Sequence, residues 1–373
     1  MLKVLHFYKT YYPDTFGGIE QVIYQLSEAG ISYGISSITF SLSKRGNIDN
    51  QLNGSHYSNY ANTTFELAST PFSISAINKF RRLAEQVDVI HYHFPFPFMD
   101  MLHFLCGIKK PSVVSYHSDI VKQKLALKIY TPLMDQFLKS VDCIVAASPN
   151  YAQSSFILNK YQSKVKIIPY GLDKTSYPMP DDERKNFWKN AVGDNFFLFI
   201  GAFRYYKGLH ILLEAMAGID YPLVIVGTGL IDDELRELVT VHNLKNVHFV
   251  GAISDENKVA LLELCYCVVF PSHLRSEAFG ITLLEGAMYG KPLISCEIGT
   301  GTSFINIHKE TGLVVKPNDA LDLRHAMTKI WEDPVLAKNY GIKAFERYEA
   351  TFTADLMMEK YMNIYKELIN KNN

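Results

Sequence analysis

One rhythm constrains this chain more than any other feature. Short apolar, β-branched runs alternate with longer stretches of helical periodicity from end to end. In the first half the spacing predicts strands at Lys3–Phe7, Ser36–Phe40, Val87–Tyr92, Ser112–Tyr116, Asp142–Ala146 and Val165–Ile168. Helical patterns fall between them at Ile19–Ala29, Ser75–Gln86, Ile120–Lys139 and Asn150–Leu158. The second half repeats the scheme with strands at Phe196–Ile200, Leu223–Val226, Val247–Val250, Cys267–Phe270 and Leu293–Ser295. Its helices are predicted near His210–Met216, Asp232–Val241, Asp255–Leu264 and Leu283–Tyr289. Strands buried on both faces between helices imply parallel, doubly wound sheets.

Two such series predict an α/β chain of two Rossmann-like domains, with ligands at the carboxyl ends of the strands and in the cleft between the domains. The boundary falls in Gly171–Asn195, which is rich in Pro and Asp. The division predicted is 1–172, 173–352 and a helix over 353–373 that crosses back to the first domain. That helix has Leu356, Met357, Tyr361, Ile364, Tyr365 and Leu368 on its apolar face. With 48% hydrophobic residues and 20% charged ones, disorder is excluded. A net charge of −1 argues against a nucleic-acid binder held by a strong positive field. The charge is uneven, however, with 16 basic and 11 acidic residues in 1–172. The five scattered cysteines (Cys106, Cys143, Cys265, Cys267 and Cys296) read as reduced thiols rather than a zinc site. The amino-terminal run reads as a strand and not a signal peptide, and no apolar run approaches a membrane span. A cytoplasmic or membrane-surface location is therefore expected.

Three glycine turns follow predicted strands. Gly17-Gly18 opens the first helix, where free N–H groups attract anions. Arg204 and Lys207, in Gly201-Ala-Phe-Arg-Tyr-Tyr-Lys-Gly208, stand at a strand's carboxyl end as a candidate diphosphate clamp, or as a solvated pair. Gly227-Thr228-Gly229 reads as an ordinary strand-to-helix turn. The most informative segment runs from Ser276 to Gly290. Its carboxylates Glu277 and Glu285 flank Phe279-Gly280-Ile281-Thr282-Leu283, whose backbone would face a phosphate at a helix start. A carboxylate accepts paired hydroxyl hydrogens from a ribose or a hexose, so this arrangement suits a nucleotide-sugar.

These motifs, with His117 after Ser112–Tyr116 and Ile168-Pro-Tyr-Gly-Leu-Asp173 at the junction, resemble the retaining glycosyltransferases of family 4. The resemblance implies the GT-B fold, two facing Rossmann-like domains, the first for acceptor and the second for nucleotide-sugar. It implies that Arg204 and Lys207 bind the donor diphosphate, Glu285 the ribose and Glu277 the transferred sugar. The N–H groups of Ile281, Thr282 and Leu283 would support the distal phosphate, while Phe249, Val250 and Gly251 lie along the base. His117 would approach the donor sugar near the reacting carbon. The runs His6-Phe-Tyr-Lys-Thr-Tyr-Tyr-Pro13, Gly17-Gly-Ile-Glu-Gln21 and Gly299-Thr-Gly-Thr-Ser303 are similar to bacterial mannosyl- and rhamnosyltransferases of O-antigen assembly. That points to a hexose, mannose from GDP-mannose first, moved to a polyprenyl-diphosphate-linked saccharide; relatives using UDP-sugars share the same main motifs.

The implied chemistry is front-face departure, the leaving diphosphate helping to deprotonate the incoming hydroxyl. Positioning and charge neutralisation then fall to Arg204 and Lys207. No Asp-x-Asp motif is present, so no metal or cofactor is expected. His91 and His93 share a strand face, but the sequence identifies no third ligand beside them. Two rival readings are an epimerase on the same architecture and a nucleotide-sugar sensor without turnover; acceptor-dependent product separates them. Finally, Lys79-Phe-Arg-Arg82, Lys109-Lys110 and Lys122, Lys124 and Lys128 accompany the aromatic run Phe94–Met99. Basic residues interleaved with apolar ones suit a surface resting on anionic lipid, here the cytoplasmic face of the inner membrane.

Overall fold

The computed structural model describes residues 1–67, 70–120 and 124–372. The chain divides into two compact units. One comprises Met1–Gly171 together with the segment from Ala354, and the other Leu172–Thr353.

The first unit holds strands β1 (Leu2–Phe7), β2 (Ile35–Ser43), β3 (Ile48–Asn53), β4 (His56–Asn62), β5 (Phe65–Leu67), β6 (Thr70–Phe72), β7 (Val89–Phe94), β8 (Ser112–Tyr116), β9 (Cys143–Ala146) and β10 (Val165–Ile167). Eight form one sheet in the order β10-β9-β8-β7-β1-β2-β4-β3, with β5 and β6 a separate hairpin. All neighbours in the large sheet run parallel except β3, which is antiparallel to β4. The expectation of a purely parallel sheet is corrected at this edge. β3 reads Ile-Asp-Asn-Gln-Leu-Asn and β4 His-Tyr-Ser-Asn-Tyr-Ala-Asn, too polar to register as strands. The helix expected over Asn150–Leu158 is two, Pro149–Ser154 and Phe156–Lys160, with the Ser155 side chain capping the second.

The two faces of this sheet differ in kind. On one, Phe7 stands in register with Phe40 and Tyr92. Phe80, from the helix Ser75–Glu85, completes a cluster with ring centroids 4.8 Å from Phe7 and 6.0 Å from Phe40. Phe94, Phe96, Phe98 and Met99 are all buried, with the Phe96 ring 5.9 Å from Phe7 and the Phe94 ring stacked on Tyr116, which corrects the expectation that this aromatic run faces lipid. Lys79 is buried too, donating to the carbonyls of Ile48 and Tyr60. Of the remaining basic residues, Arg81, Arg82, Lys109 and Lys128 are exposed and Lys110 is half-buried; Lys122 and the side chain of Lys124 lie outside the described residues.

The opposite face is polar. His6 is in register with Thr39 and His91, and His93 with Ser115. The helix Ala354–Asn372 covers it, inserting Tyr361 and Tyr365. Met357, Tyr361, Ile364, Tyr365 and Leu368 are buried on that helix, whereas Leu356 is half-buried.

The second unit carries β11 (Phe197–Ile200), β12 (Leu223–Val226), β13 (Val247–Gly251), β14 (Cys267–Phe270), β15 (Leu293–Cys296) and β16 (Gly312–Val315). Its sheet has the order β13-β12-β11-β14-β15-β16 and is parallel throughout. Phe197, Phe199, Leu212, Met216, Ile225, Val269 and Met327 lie in its core. The chain turns from one side of the sheet to the other between β11 and β14, the switch point where doubly wound folds bind ligands.

The aromatic face yields a stability test. Phe80→Ala removes a fully buried ring with no helix propensity gain able to offset it, and should cost about 3–5 kcal/mol in urea unfolding of the first unit. A cost under about 1 kcal/mol would mean the cluster collapses around the void without loss.

Candidate active site

In the second unit, the loops after β11 and β14 are pressed together. Gly208 has φ 72°, and a Cβ there would lie 2.1 Å from the Pro271 carbonyl oxygen. The His273 amide donates to the Tyr206 carbonyl at 3.0 Å. This contact brings Lys207 and Glu277 into an ion pair, Nζ to Oε2 at 2.5 Å, with both side chains largely buried. Ser272 donates to the same carboxylate oxygen at 3.3 Å. Burial alone would lower the Lys207 ammonium, but the Glu277 carboxylate and the Tyr206 phenol outweigh it and move the pKa up. Lys207 therefore stays charged.

Arg204 behaves differently. It is exposed, and among the described residues its side chain makes no ion pair. Arg204 and Lys207, expected to act together, thus start from unlike states: one open to an anion, the other already held by Glu277.

The helix Ile281–Met288 begins at Gly280, φ 104°, without a side-chain cap. Its first N–H groups, on Ile281, Thr282 and Leu283, point out of the helix start, an arrangement suited to an anion. The Thr282 hydroxyl donates to the Ile200 carbonyl at 3.1 Å and pins the helix to the end of β11. Phe279 is buried. Glu285, one turn in, is only 5% exposed. Its Oε1 accepts from the Tyr177 hydroxyl at 3.1 Å and faces Lys258 Nζ at 3.1 Å. Burial opposes the Lys258 charge, yet Glu285 and Asp255 drive its pKa above the usual lysine range. Sequence reasoning missed Tyr177 and Lys258. Tyr177 lies 108 positions from Glu285, and no local pattern marks it.

Phe249, Val250 and Gly251 end β13, half-buried, with the Arg236 guanidinium 4.9 Å from the Phe249 ring centre. Gly227 donates to the Gly251 carbonyl at 2.8 Å. The Gly227 turn, read as ordinary, is tighter than that: a Cβ there would lie 2.0 Å from the Gly201 carbonyl oxygen.

In the first unit, Gly17 precedes the helix Gly18–Ala29. A Cβ on Gly17 would meet the Glu20 carboxylate at 2.5 Å, and Glu20 itself accepts from Thr10 and Thr15 at 2.9 and 2.6 Å. The space at Gly17 is thus taken up by Glu20. His117 follows β8 and is buried. Both its ring nitrogens are engaged, Nε2 with His93 Nδ1 at 2.9 Å and Nδ1 with the Tyr170 hydroxyl at 2.5 Å. Burial pushes its pKa down to about 3.

The structure also supplies what the sequence did not show, a third imidazole beside His91 and His93. His6, His91 and His93 place ligand nitrogens within 4.8 Å of one another. These nitrogens already have partners: His6 bonds His93 at 3.1 Å, and His91 bonds Tyr365 and Ser115, each at 2.7 Å.

Comparisons with known proteins complete the picture. Residues 16–176 match the model for Glycosyltransferase Family 4, and residues 181–347 that for glycosyl transferases group 1. The D-rhamnosyltransferase WbpZ of Pseudomonas aeruginosa is 56% identical over 353 residues, covering 95% of this chain and 93% of that protein. The chain belongs to glycosyltransferase family 4. The O-antigen chain mannosyltransferase C of Escherichia coli is 52% identical over 99% of both chains. Among solved structures, sucrose-phosphate synthase from Thermosynechococcus elongatus superposes with a TM-score of 0.81 at 22% identity, covering 100% of both chains. Anabaena HepE in complex with UDP and glucose gives 0.75 at 18% identity, covering 98% of this chain and all of that one. The fold of this glycosyltransferase is GT-B. Among the described residues no helix is long and apolar enough to cross a membrane.

The buried imidazoles set a pH dependence. Burial, with His56 adding to it, takes His6 down to about 3, as burial does for His117. An unfolded imidazole titrates near 6.5, so between pH 6.5 and 3 the unfolded chain binds more protons than the folded one. Stability is full above about pH 6.5 and falls on acidification, by up to about 1.4 kcal/mol per pH unit for each ring. The urea midpoint should be lower at pH 5 than at pH 7, and His117→Gln should lessen the drop. An unchanged drop in that variant would show that His117 is not held neutral by the fold.

Proposed function

We propose that this glycosyltransferase moves a hexose, with retention, from a GDP-sugar to a polyprenyl-diphosphate-linked saccharide in O-antigen assembly. Mannose from GDP-mannose is the first reading, in line with the relative from Escherichia coli. The relative from Pseudomonas aeruginosa favours D-rhamnose as the second. The two sugars differ only in the oxygen at C6, a single hydroxyl for the site to recognise.

The observation that carries this reading is the Lys207–Glu277 pair at the β11–β14 switch point, with an uncapped helix start a few residues on and Glu285 in that helix. In this reading Arg204 meets the diphosphate first, as the open cation. Lys207 then shares its ammonium between Glu277 and a phosphate oxygen, which neutralises charge as the leaving group departs. Glu277, relieved of some of its partner's charge, accepts hydroxyls of the sugar. The N–H groups of Ile281, Thr282 and Leu283 take the distal phosphate. Glu285 uses Oε1 internally, which leaves Oε2 for the ribose hydroxyls, and Phe249, Val250 and Gly251 flank the base. Gly17, Gly18 and His117 belong to the acceptor and sugar side. The cations perform the charge work, so the reading assigns no metal or cofactor.

A lipid-linked acceptor calls for peripheral contact with the cytoplasmic face of the inner membrane. The first unit supports this with exposed apolar side chains beside exposed cations: Leu105 at 53%, whose carbonyl accepts from Arg81, and Ile129 at 83%, next to Lys128 in sequence.

The donor is tested with a panel of GDP-mannose, GDP-D-rhamnose and UDP-glucose, read by thermal stabilisation and by product formed with a lipid-linked acceptor. Stabilisation by UDP-glucose alone would discard the GDP assignment. Arg204→Ala should slow transfer about 100–1000-fold, and wild-type turnover would remove it from the site.

The glutamates are separated by calorimetry with GDP. Glu285→Gln should weaken GDP roughly 10–100-fold, the loss of charge-assisted hydrogen bonds, while Glu277→Gln leaves GDP affinity intact and lowers transfer. Glutamine is chosen because it keeps a side-chain oxygen for the Tyr177 hydroxyl and Lys258, which alanine would remove. Equal weakening of GDP by both variants would overturn the division of roles.

A further inference from the structure

Four buried side chains of the first unit form a single hydrogen-bonded line. His6 Nδ1 meets His93 Nε2 at 3.1 Å, His93 Nδ1 meets His117 Nε2 at 2.9 Å, and His117 Nδ1 meets the Tyr170 hydroxyl at 2.5 Å. Exposure is 2%, 0%, 4% and 6% along it. Burial holds the three imidazoles neutral, so each carries one ring proton. A neutral imidazole donates from one nitrogen and accepts at the other. His93 and His117 have both nitrogens in the line, so the tautomer of one ring dictates the others. Either all three carry Nδ1–H and His117 donates to Tyr170, or all three carry Nε2–H and Tyr170 donates to His117. A mixture breaks a bond inside a dry core, which costs about 1–3 kcal/mol.

Two considerations select the second order. Nε2–H is the commoner tautomer of a free neutral histidine, and a phenol is a better donor than acceptor. We propose that His6 and His93 are positioning residues that hold His117 as Nε2–H, so that its Nδ1 is an acceptor, filled by the Tyr170 hydroxyl until a hydroxyl of the transferred sugar displaces it. The proposal rests on the reading that His117 meets the donor sugar. His91 stands beside the line rather than in it. Its nitrogens bond Tyr365 and Ser115, and its ring stacks on His93 with centroids 4.4 Å apart. Ser115 in turn bonds Tyr361 at 2.6 Å, so the helix Ala354–Asn372 fixes the ring that wedges His93 in place.

The test uses the full chain labelled with ¹⁵N-histidine, because nitrogen shifts separate protonated from bare ring nitrogens. His6, His93 and His117 should all report Nε2–H. His6→Leu removes the acceptor at the far end. His117 should then shift toward Nδ1–H, and turnover with the best-stabilising donor should fall roughly 10–100-fold, GDP affinity being unchanged. His6→Asn, which restores an oxygen near the place of Nδ1, should recover both. If His6→Leu does not fold, Tyr170→Phe probes the other end: it leaves a bare lone pair at Nδ1 of His117, whereas the reversed order would strand an N–H there, so all three rings should still report Nε2–H, and Nδ1–H on any of them would overturn the proposal. Mixed tautomers in the wild type, full turnover in folded His6→Leu, or a stoichiometric metal ion on these rings would overturn the proposal. Wild-type turnover in His117→Ala would instead defeat the reading of His117 at the sugar, leaving the tautomer order standing.

Discussion

Gly208 sits at φ 72° with the Pro271 carbonyl oxygen 2.1 Å from where a Cβ would stand, and the chemistry of the second unit depends on that approach. Any side chain there would push the loop after β11 away from the loop after β14. Lys207 and Glu277 belong to those two loops, and their ion pair needs both backbones at this spacing. On the adjacent strand, Gly227 makes an equally close approach to the Gly201 carbonyl. The carboxyl ends of β11, β12 and β14 are therefore held by backbone contact, and side chains are free to face a ligand. A site organised this way loses little entropy on binding, because the loops carrying the charges are already fixed.

Much of this was legible in the sequence. The β-branched runs located the parallel strands because a strand buried on both faces leaves no polar alternation to blur the signal. Glu277, Gly280 and Glu285 stood out because a helix start flanked by carboxylates is a local arrangement. What escaped is what depends on contacts distant in sequence. Tyr177 reaches Glu285 across 108 positions, and His6 reaches His93 across 87. β3 and β4 escaped for another reason: β3 is the partly exposed edge strand of the sheet, and β4 beside it is largely buried yet built from polar residues such as His56, Ser58 and Asn59, so neither leaves an apolar run. The aromatic run at Phe94–Met99 misled because rings next to basic residues look alike in sequence whether they face lipid or core. Only the placement of Phe7, Phe40 and Phe80 decides between them.

The site of the second unit and the polar sheet face of the first handle buried polarity in opposite ways. The site retains charge, in the pairs Lys207–Glu277 and Lys258–Glu285. The sheet face retains hydrogen-bonding capacity without charge, in imidazoles and phenols held neutral by burial. Each solution has its own physical consequence. A buried ion pair keeps a strong local field that a diphosphate can enter, at the expense of desolvating two charges. A neutral network adds almost no field but fixes direction, because every donor must find an acceptor.

That difference fits the two halves of a nucleotide-sugar. A diphosphate is recognised by charge, for which the distance to a cation matters more than the direction of any one hydrogen bond. A hexose is recognised by which of its hydroxyls donate and which accept, so the groups that meet it must hold one sense of hydrogen bonding. A charged histidine would donate from both nitrogens and lose that discrimination. Surrounding His117 with His93, Tyr170 and a sheet face of further imidazoles prevents this, because no carboxylate stands in the line to stabilise an imidazolium. The polar face of the first sheet is therefore costly as a core and well suited to reading a sugar, and the helix Ala354–Asn372 closes it with tyrosines whose hydroxyls complete the hydrogen bonding.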